Sequence, residues 1–265
     1  MKRLLLLAAV ACAIPACAAK SIDLPSGVGR TFPDYAAAYE QATQECRGVK
    51  TLSAVIGLSG RAGGQRIRGR IDAGFAAPDD LRLEGIGPFG RVMFVLVSKA
   101  GEATLVLPRD ARVVRGAPAE AIVEALAGVA LGAGELRAVV SGCGLGGEAP
   151  TAGRMYGKDW TAVDSANATA YLRQAEGRWQ VKAATRGPLT VEYQDFASGR
   201  PATIKLRTSP AQRGTAADLT LRLSQVEINV PLAAEVFRVE VPANAAPLTL
   251  EELRRAGPLG GNASR

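Results

Sequence analysis

The chain contains four cysteines, residues whose side chains support covalent chemistry, and two of them lie within the first 17 positions. Met1-Lys2-Arg3 precedes an apolar run from Leu4 to Ile14, and Pro15-Ala16-Cys17 follows it. A short basic start, an apolar segment of about ten residues and a small residue before a cysteine are typical of a bacterial lipoprotein signal. The sequence therefore predicts a signal peptide over residues 1–16 and lipid attachment at Cys17.

The apolar run is too short for a transmembrane helix, which needs about 20 residues. Cleavage before Cys17 would leave a chain that is tethered to a membrane by its lipid and folds in water. Two alternatives remain open at this point. Ala16-Cys17-Ala18 also resembles an ordinary secretory cleavage site, and Cys12 would serve as the lipid acceptor if the apolar segment were shorter.

Cys46 and Cys143 are predicted to form a disulfide, because an even pair of cysteines in an exported protein usually does. Cys46 lies on the apolar face of a helix predicted over about 34–47, with Tyr35 and Tyr39 at helical spacing on the same face. Cys143 lies on the apolar stripe of a second short helix. Both thiols are therefore expected to face the core. Two buried free thiols are the alternative.

Histidine is absent, which excludes the Ser-His-Asp and Cys-His nucleophile systems, most zinc sites and the usual general base at neutral pH. No Asp/Glu cluster stands out either. The sequence thus predicts no catalytic residue, no metal and no cofactor, and the protein is not expected to be an enzyme. The formal charge is +7, but the positive residues are dispersed, so nucleic-acid binding is not expected. Solvated strand faces, or weak attraction to anionic membranes, account for the charge.

The pattern beyond the signal predicts one domain over residues 32–257, preceded by a tether over 17–31 and followed by a flexible tail over 258–265. Apolar and polar residues alternate along Gln65–Phe75, which indicates a strand with one buried and one solvated face. Similar strands recur about every 8–12 residues, with short helices between them. The predicted fold class is mainly β with helices (α+β), an incomplete antiparallel β-barrel, or half-barrel, closed by short helices.

Two glycine-rich segments have the spacing or composition of functional motifs. Gly142–Gly147 satisfies G-x-G-x-x-G, but a helical pattern precedes it and a proline follows, so it does not predict a dinucleotide site.

Gly87-Pro88-Phe89-Gly90 joins two predicted strands, and its one large side chain is aromatic. Loop tips normally carry small polar residues. Phe89 either folds back onto the core or protrudes as an apolar knob that meets a membrane or an acylated partner.

The order of elements from Leu81 to Cys143 resembles the LolA/LolB superfamily of lipoprotein-localisation factors, most closely its outer-membrane receptors of the LolB type. The likeness rests on the Gly-Pro-Phe-Gly turn, a helix over Gly116–Val129 and a leucine-spacer-leucine segment that ends at Gly142. Val226–Val241, with Asn229-Val230-Pro231-Leu232 followed by Phe237, is similar to the last part of the periplasmic carriers. The cysteine pair is not part of that pattern.

The resemblance implies a half-barrel that encloses an apolar cavity for acyl chains. It also implies that Phe89 occupies the family's protruding leucine position, so that Pro88, Phe89 and Gly90 form a loop that contacts a membrane or a partner. The expected function is that of a lipid-anchored, monomeric, periplasm-facing protein of the bacterial outer membrane, which binds acyl chains in lipoprotein or lipid transfer. A non-catalytic assembly lipoprotein that holds a protein partner is the alternative, and it would show a filled barrel.

Overall fold

The computed structural model describes residues 21–145, 147–209 and 216–256. Cys12, Cys17 and the predicted tail lie outside them. Within the described residues the helices are α1 (Tyr35–Arg47), α2 (Ala119–Ala127), α3 (Ala133–Ser141) and α4 (Leu250–Ala256). The strands are β1 (Arg30–Thr31), β2 (Thr51–Ala62), β3 (Gln65–Ala76), β4 (Asp80–Ile86), β5 (Val92–Lys99), β6 (Glu102–Leu107), β7 (Arg112–Ala117), β8 (Ala152–Tyr156), β9 (Trp160–Asp164), β10 (Thr169–Ala175), β11 (Arg178–Arg186), β12 (Leu189–Ala197), β13 (Arg200–Thr208), β14 (Ala217–Ile228) and β15 (Ala246–Pro247).

These strands form one sheet, in the order β1-β8-β9-β10-β11-β12-β13-β14-β2-β3-β4-β5-β6-β7-β15. Neighbouring strands are antiparallel, except that β15 runs parallel to β7. The two edge strands are two residues long and do not pair with each other, so the sheet curves without closing. The predicted incomplete antiparallel barrel with short helices is confirmed.

The hairpin of β2 and β3 is the longest antiparallel pair that follows directly in sequence. Its strands pair over their full twelve residues, and the turn is only Gly63-Gly64, both with positive φ. Such two-residue turns match the twist of the flanking strands, and glycine adopts them without steric cost. The glycine-rich segment Gly60–Gly64 is thus mostly strand, because β2 continues through Gly60 to Ala62.

The concave face of the sheet is apolar and is covered by helices. On β3, Ile67, Ala73 and Phe75 are buried there, while Arg66 and Arg68 point to solvent on the other face, as the alternation predicted. Side chains of both halves of the sheet join those of α1, α2 and α3 in one core. The described helices include none long and apolar enough to cross a bilayer.

Two chain segments cover parts of the convex face. Val95 and Val97 of β5 pack there against Phe237 and its neighbours, which explains why β5 is apolar on both faces. Near the N-terminus, the amide of Ile22 donates a 3.0 Å hydrogen bond to the carboxylate of Glu192 on β12. Ile22, in the predicted tether, is thus held against the sheet, and the segment ends in β1.

Candidate functional site

The turn between β4 and β5 presents an aromatic side chain to solvent. Phe89 is 99% exposed and adopts a left-handed backbone conformation, with φ 64° and ψ 23°. The amide of Gly87 donates a 2.8 Å hydrogen bond to the carbonyl of Arg91, which closes the turn. An L-residue in this conformation costs about 1–2 kcal/mol. Of the two placements considered for Phe89, the structure has the protruding one.

The glycines of this turn have separate structural reasons. Gly90 has φ +73°, a conformation that favours glycine. A Cβ at Gly87 would lie 2.8 Å from Cγ of Met93, so a side chain there would displace the methionine. The turn therefore holds Phe89 outward by backbone geometry rather than by contacts of its ring.

The concave apolar face is the second part of the candidate site, since acyl chains bind to such a surface. In this structure the helices fill it. The largest interior side chains are almost wholly inaccessible, including Leu52, Phe75, Leu81, Leu96, Leu105, Ile122 and Leu131. A side chain that lined a water-sized cavity would retain accessible area, so these residues line none. An acyl chain can occupy this space only where a helix moves away.

Helix α3 is held in place by polar contacts at several points. The hydroxyl of Tyr193 on β12 donates to the carbonyl of Val139 and accepts from the amide of Gly144, both at 2.9 Å. The guanidinium of Arg137 donates to the carbonyls of Val49 at 2.6 Å and Pro78 at 3.2 Å. Glu135 forms an ion pair with Arg186 on β11. Helix α3 is therefore fixed to both halves of the sheet.

Helix α2 is attached differently. Its buried residues are apolar (Ala119, Ile122, Val123, Ala125 and Leu126). The Thr208 hydroxyl donates a 3.3 Å hydrogen bond to the carbonyl of Gly128, at the end of α2, and Glu124 forms an exposed ion pair, 3.2 Å long, with Arg254 of α4. Just beyond the helix, Arg186 donates to the carbonyl of Ala130 at 3.1 Å. Exposed pairs contribute little, about 0–1 kcal/mol. Apolar packing is thus the main attachment of α2.

Cys46 at the end of α1 and Cys143 just after α3 lie together, with their Cα atoms 5.5 Å apart. This separation is typical of a disulfide. Open grooves of about 900 Å³ and 770 Å³ flank the pair, and charged and apolar residues line both. Among the residues that the structure describes, no group of three His, Cys, Asp or Glu side chains is placed to hold a metal ion.

The predicted site residues fall at opposite ends of the strands. The cysteine pair lies near the start of β2, where Thr51 pairs with Ala76 of β3. The Phe89 turn follows Ile86, the last residue of β4, whereas Asp80 at the other end of β4 pairs with Ala76. Sequence reasoning missed Tyr193 and Glu192. A glutamate in the apolar first half of β12 was the available signal. It forms an ion pair with Arg207 of β13, and its second partner, the amide of Ile22, is 170 residues away.

Comparison with solved structures identifies proteins that share this fold. A LolA superfamily protein from Nitrosomonas europaea matches at TM-score 0.52 and 11% identity, over 79% of this chain and 98% of that one. The fold is LolA/LolB-like. A putative outer membrane lipoprotein-sorting protein domain from Vibrio parahaemolyticus and a DUF1329 family protein from Desulfovibrio piger each match at TM-score 0.47, with 12% and 11% identity. They cover 77% and 76% of this chain, and 97% and 96% of their own chains. No protein-family model and no curated protein matches the sequence.

In this LolA/LolB-like fold, Tyr193 is expected to be a main support of α3. Burial raises the pKa of its phenol, so the folded state favours the protonated hydroxyl, and stability should fall as the pH rises above about 10. Tyr193→Phe leaves the amide of Gly144 without its partner and removes one of the two donors to the carbonyl of Val139, which also accepts from the amide of Gly142. It should lower the free energy of unfolding by about 2 kcal/mol. Urea denaturation measures this. Tyr171→Phe is the control, because Tyr171 on β10 is only half-buried. It should change the free energy of unfolding by less than about 0.5 kcal/mol.

The disulfide stays a prediction that chemistry can check. Cys46 and Cys143 should resist alkylation in the unreduced, unfolded protein and accept one label each after reduction, as intact mass would show. Because the bond closes a loop of 97 residues, its removal in Cys46→Ser/Cys143→Ser should cost up to about 4–5 kcal/mol of stability. Labelling of both thiols without reduction would contradict the pairing.

Proposed function

We propose that this protein is a lipid-anchored protein of the bacterial outer membrane that faces the periplasm, binds acyl chains and takes part in lipoprotein or lipid transfer. The observation that carries the proposal is Phe89, an aromatic side chain that the turn holds outward in water. Burying an exposed phenylalanine side chain gains about 1.5–3 kcal/mol, and a bilayer offers that burial. The Phe89 turn is thus the proposed contact with the membrane, and Pro88 and Gly90 are its backbone supports.

The binding surface in this proposal is the concave apolar face under α2. Transfer of a methylene group from water gains about 0.8 kcal/mol, so an acyl chain of ten buried methylenes gains about 8 kcal/mol. It would replace the contacts that α2 makes with β6, whose buried residues, such as Leu105, are apolar as well. Because α3 is held by hydrogen bonds and α2 mainly by packing, we infer that opening moves α2. Burial alone drives such binding, so the proposed function needs no catalytic residue.

One observation favours a second candidate. The interior is filled by side chains, which is what an assembly lipoprotein would show if it used this fold to hold a protein partner. In that case the exposed Phe89 would meet the partner rather than a bilayer. The two candidates differ in whether the interior accepts a lipid, and the next experiment separates them.

Native mass spectrometry should detect a complex between the chain that begins at Cys17, carrying Cys17→Ala so that it has no lipid of its own, and a palmitoylated lipopeptide. The same peptide without its acyl chain is the matched control. It should not bind, because the methylenes of the acyl chain supply the free energy of binding. The acyl-chain proposal would be contradicted if the two peptides bound equally well, or if neither of them bound. Lack of both complexes would favour the assembly role.

Phe89→Glu should abolish transfer of a lipoprotein to acceptor vesicles and leave the thermal unfolding midpoint unchanged, because the ring makes no core contact. Phe89→Leu should retain transfer, since it keeps an apolar tip. Val28→Glu places the same charge at another exposed apolar residue, 89% accessible, and should transfer like the parent. Undiminished transfer by Phe89→Glu would remove the proposed role of this turn.

A further inference from the structure

Arginines cluster on the convex face beside the Phe89 turn. Arg66, Arg68 and Arg70 alternate along β3 and therefore share one face. Arg61 of β2 pairs directly with Arg66, and Arg222 of β14 lies two strands from Arg70 in the same register, across Gly57. All five are exposed. We call these five residues the arginine face.

Part of this arrangement is unfavourable for the protein by itself. Like charges directly opposite each other on neighbouring strands destabilise a sheet, and Arg61 and Arg66 are such a pair. On its other side Arg61 lies opposite Asp218 of β14, which offsets the repulsion at that position. Arg70 has a partner, since its Nε lies 3.1 Å from Oδ1 of Asp72. By contrast, Arg66, Arg68 and Arg222 form no ion pair with any residue that the structure describes. Their guanidinium groups are therefore available to an external anion.

The shape of the arginine face suits small anionic groups. Gly57 of β2 lies between Arg222 of β14 and Arg70 of β3, so no side chain fills the gap between them. The short Ser59 lies beside Arg68. Strands two apart in a sheet are separated by about 10 Å. A phosphate placed over Gly57 would be within reach of guanidinium groups from both sides, and the planar guanidinium donates paired hydrogen bonds to phosphate oxygens.

A recess connects the arginine face to the Phe89 turn. The hairpin of β2 and β3 extends beyond the end of β4, because Ile86 already pairs with Arg70. The space beside this extension is an open recess of about 400 Å³, lined by Arg68, Gly69, Arg70, Ile86, Gly87 and Gly90. Positive charge and the protruding aromatic ring thus occur side by side at one end of the strands.

We propose that the arginine face and this recess bind the phosphate groups of anionic lipids in the membrane that Phe89 contacts. The inference rests on the proposed membrane contact and adds the lipid class to it. A membrane is favoured over an acidic protein because the charges are spread over an open face next to an apolar tip. That combination matches a surface with phosphates outside and acyl chains beneath. The arginines would set both the preference for anionic membranes and the orientation of the sheet on them.

The test uses the chain from Cys17 with Cys17→Ala, so that no attached lipid holds it to vesicles. Flotation compares vesicles of phosphatidylcholine alone with vesicles that also contain phosphatidylglycerol. The parent should bind the anionic vesicles more tightly, and added salt should weaken that binding. Arg66→Gln/Arg68→Gln/Arg222→Gln should reduce it about a hundredfold, since each arginine near an anionic surface contributes roughly a factor of five. Binding to neutral vesicles should stay as in the parent.

Arg115→Gln/Lys158→Gln/Arg200→Gln removes the same charge from exposed positions away from the arginine face and is the matched control. Equal losses in the two triple variants, or no preference of the parent for anionic vesicles, would overturn the inference. Phe89→Glu on neutral vesicles reports the membrane contact separately. If Phe89→Glu lowers binding and the arginine variant does not, the proposed contact of Phe89 with the membrane stands and the arginine proposal falls. If the parent binds neither kind of vesicle, both fall.

Discussion

A curved sheet that does not close must have its apolar concave face covered by something other than itself, and this constraint governs the rest of the molecule. A closed barrel would cover that face with its own opposite wall. Here the edge strands β1 and β15 remain apart, and helices α1, α2 and α3 supply the cover. Helices that are separate from the sheet can be exchanged for another apolar body, whereas a barrel wall cannot. The open sheet therefore makes acyl-chain binding physically possible even though the interior is filled.

Helices α2 and α3 differ in how firmly they are attached to the sheet, because they make different kinds of contact with it. Hydrogen bonds to buried partners are costly to break, because the groups left behind lose their solvation as well. Helix α3 has several, from Tyr193 and Arg137. Apolar packing, by contrast, is restored when a lipid chain replaces the helix, since both are hydrocarbon. In the proposed function, α3 is thus the fixed wall of the interior and α2 is the wall that a lipid would replace.

Local patterns in the sequence were enough to predict much of this fold, because alternation along Gln65–Phe75 and the helical spacing around Cys46 depend on neighbouring residues alone. The capping box of α4 is also local, because it joins Thr249 and Glu252, and the Glu252 carboxylate accepts from the Thr249 amide at 2.8 Å. The pairing of β14 with β2 joins residues such as Leu221 and Leu58, 163 positions apart, and has no local signature. The same holds for the bond between Ile22 and Glu192. The exposure of Phe89 was open for a related reason, since composition does not reveal the backbone angle that points it outward.

The N-terminal segment links the proposed anchor to the proposed membrane contact. Ile22 is bonded to Glu192, so a lipid on Cys17 would be separated from a fixed point of the sheet by five residues, a reach of roughly 17 Å. A short connection of this kind makes contact between the sheet and the bilayer effectively intramolecular, with a local concentration far above that of a free protein. Weak contacts at Phe89 and the arginines then suffice to orient the molecule, because the anchor already supplies proximity. Strong membrane binding by the folded domain itself would instead hinder its release during transfer, so a modest apolar tip suits this fold better than a large exposed patch.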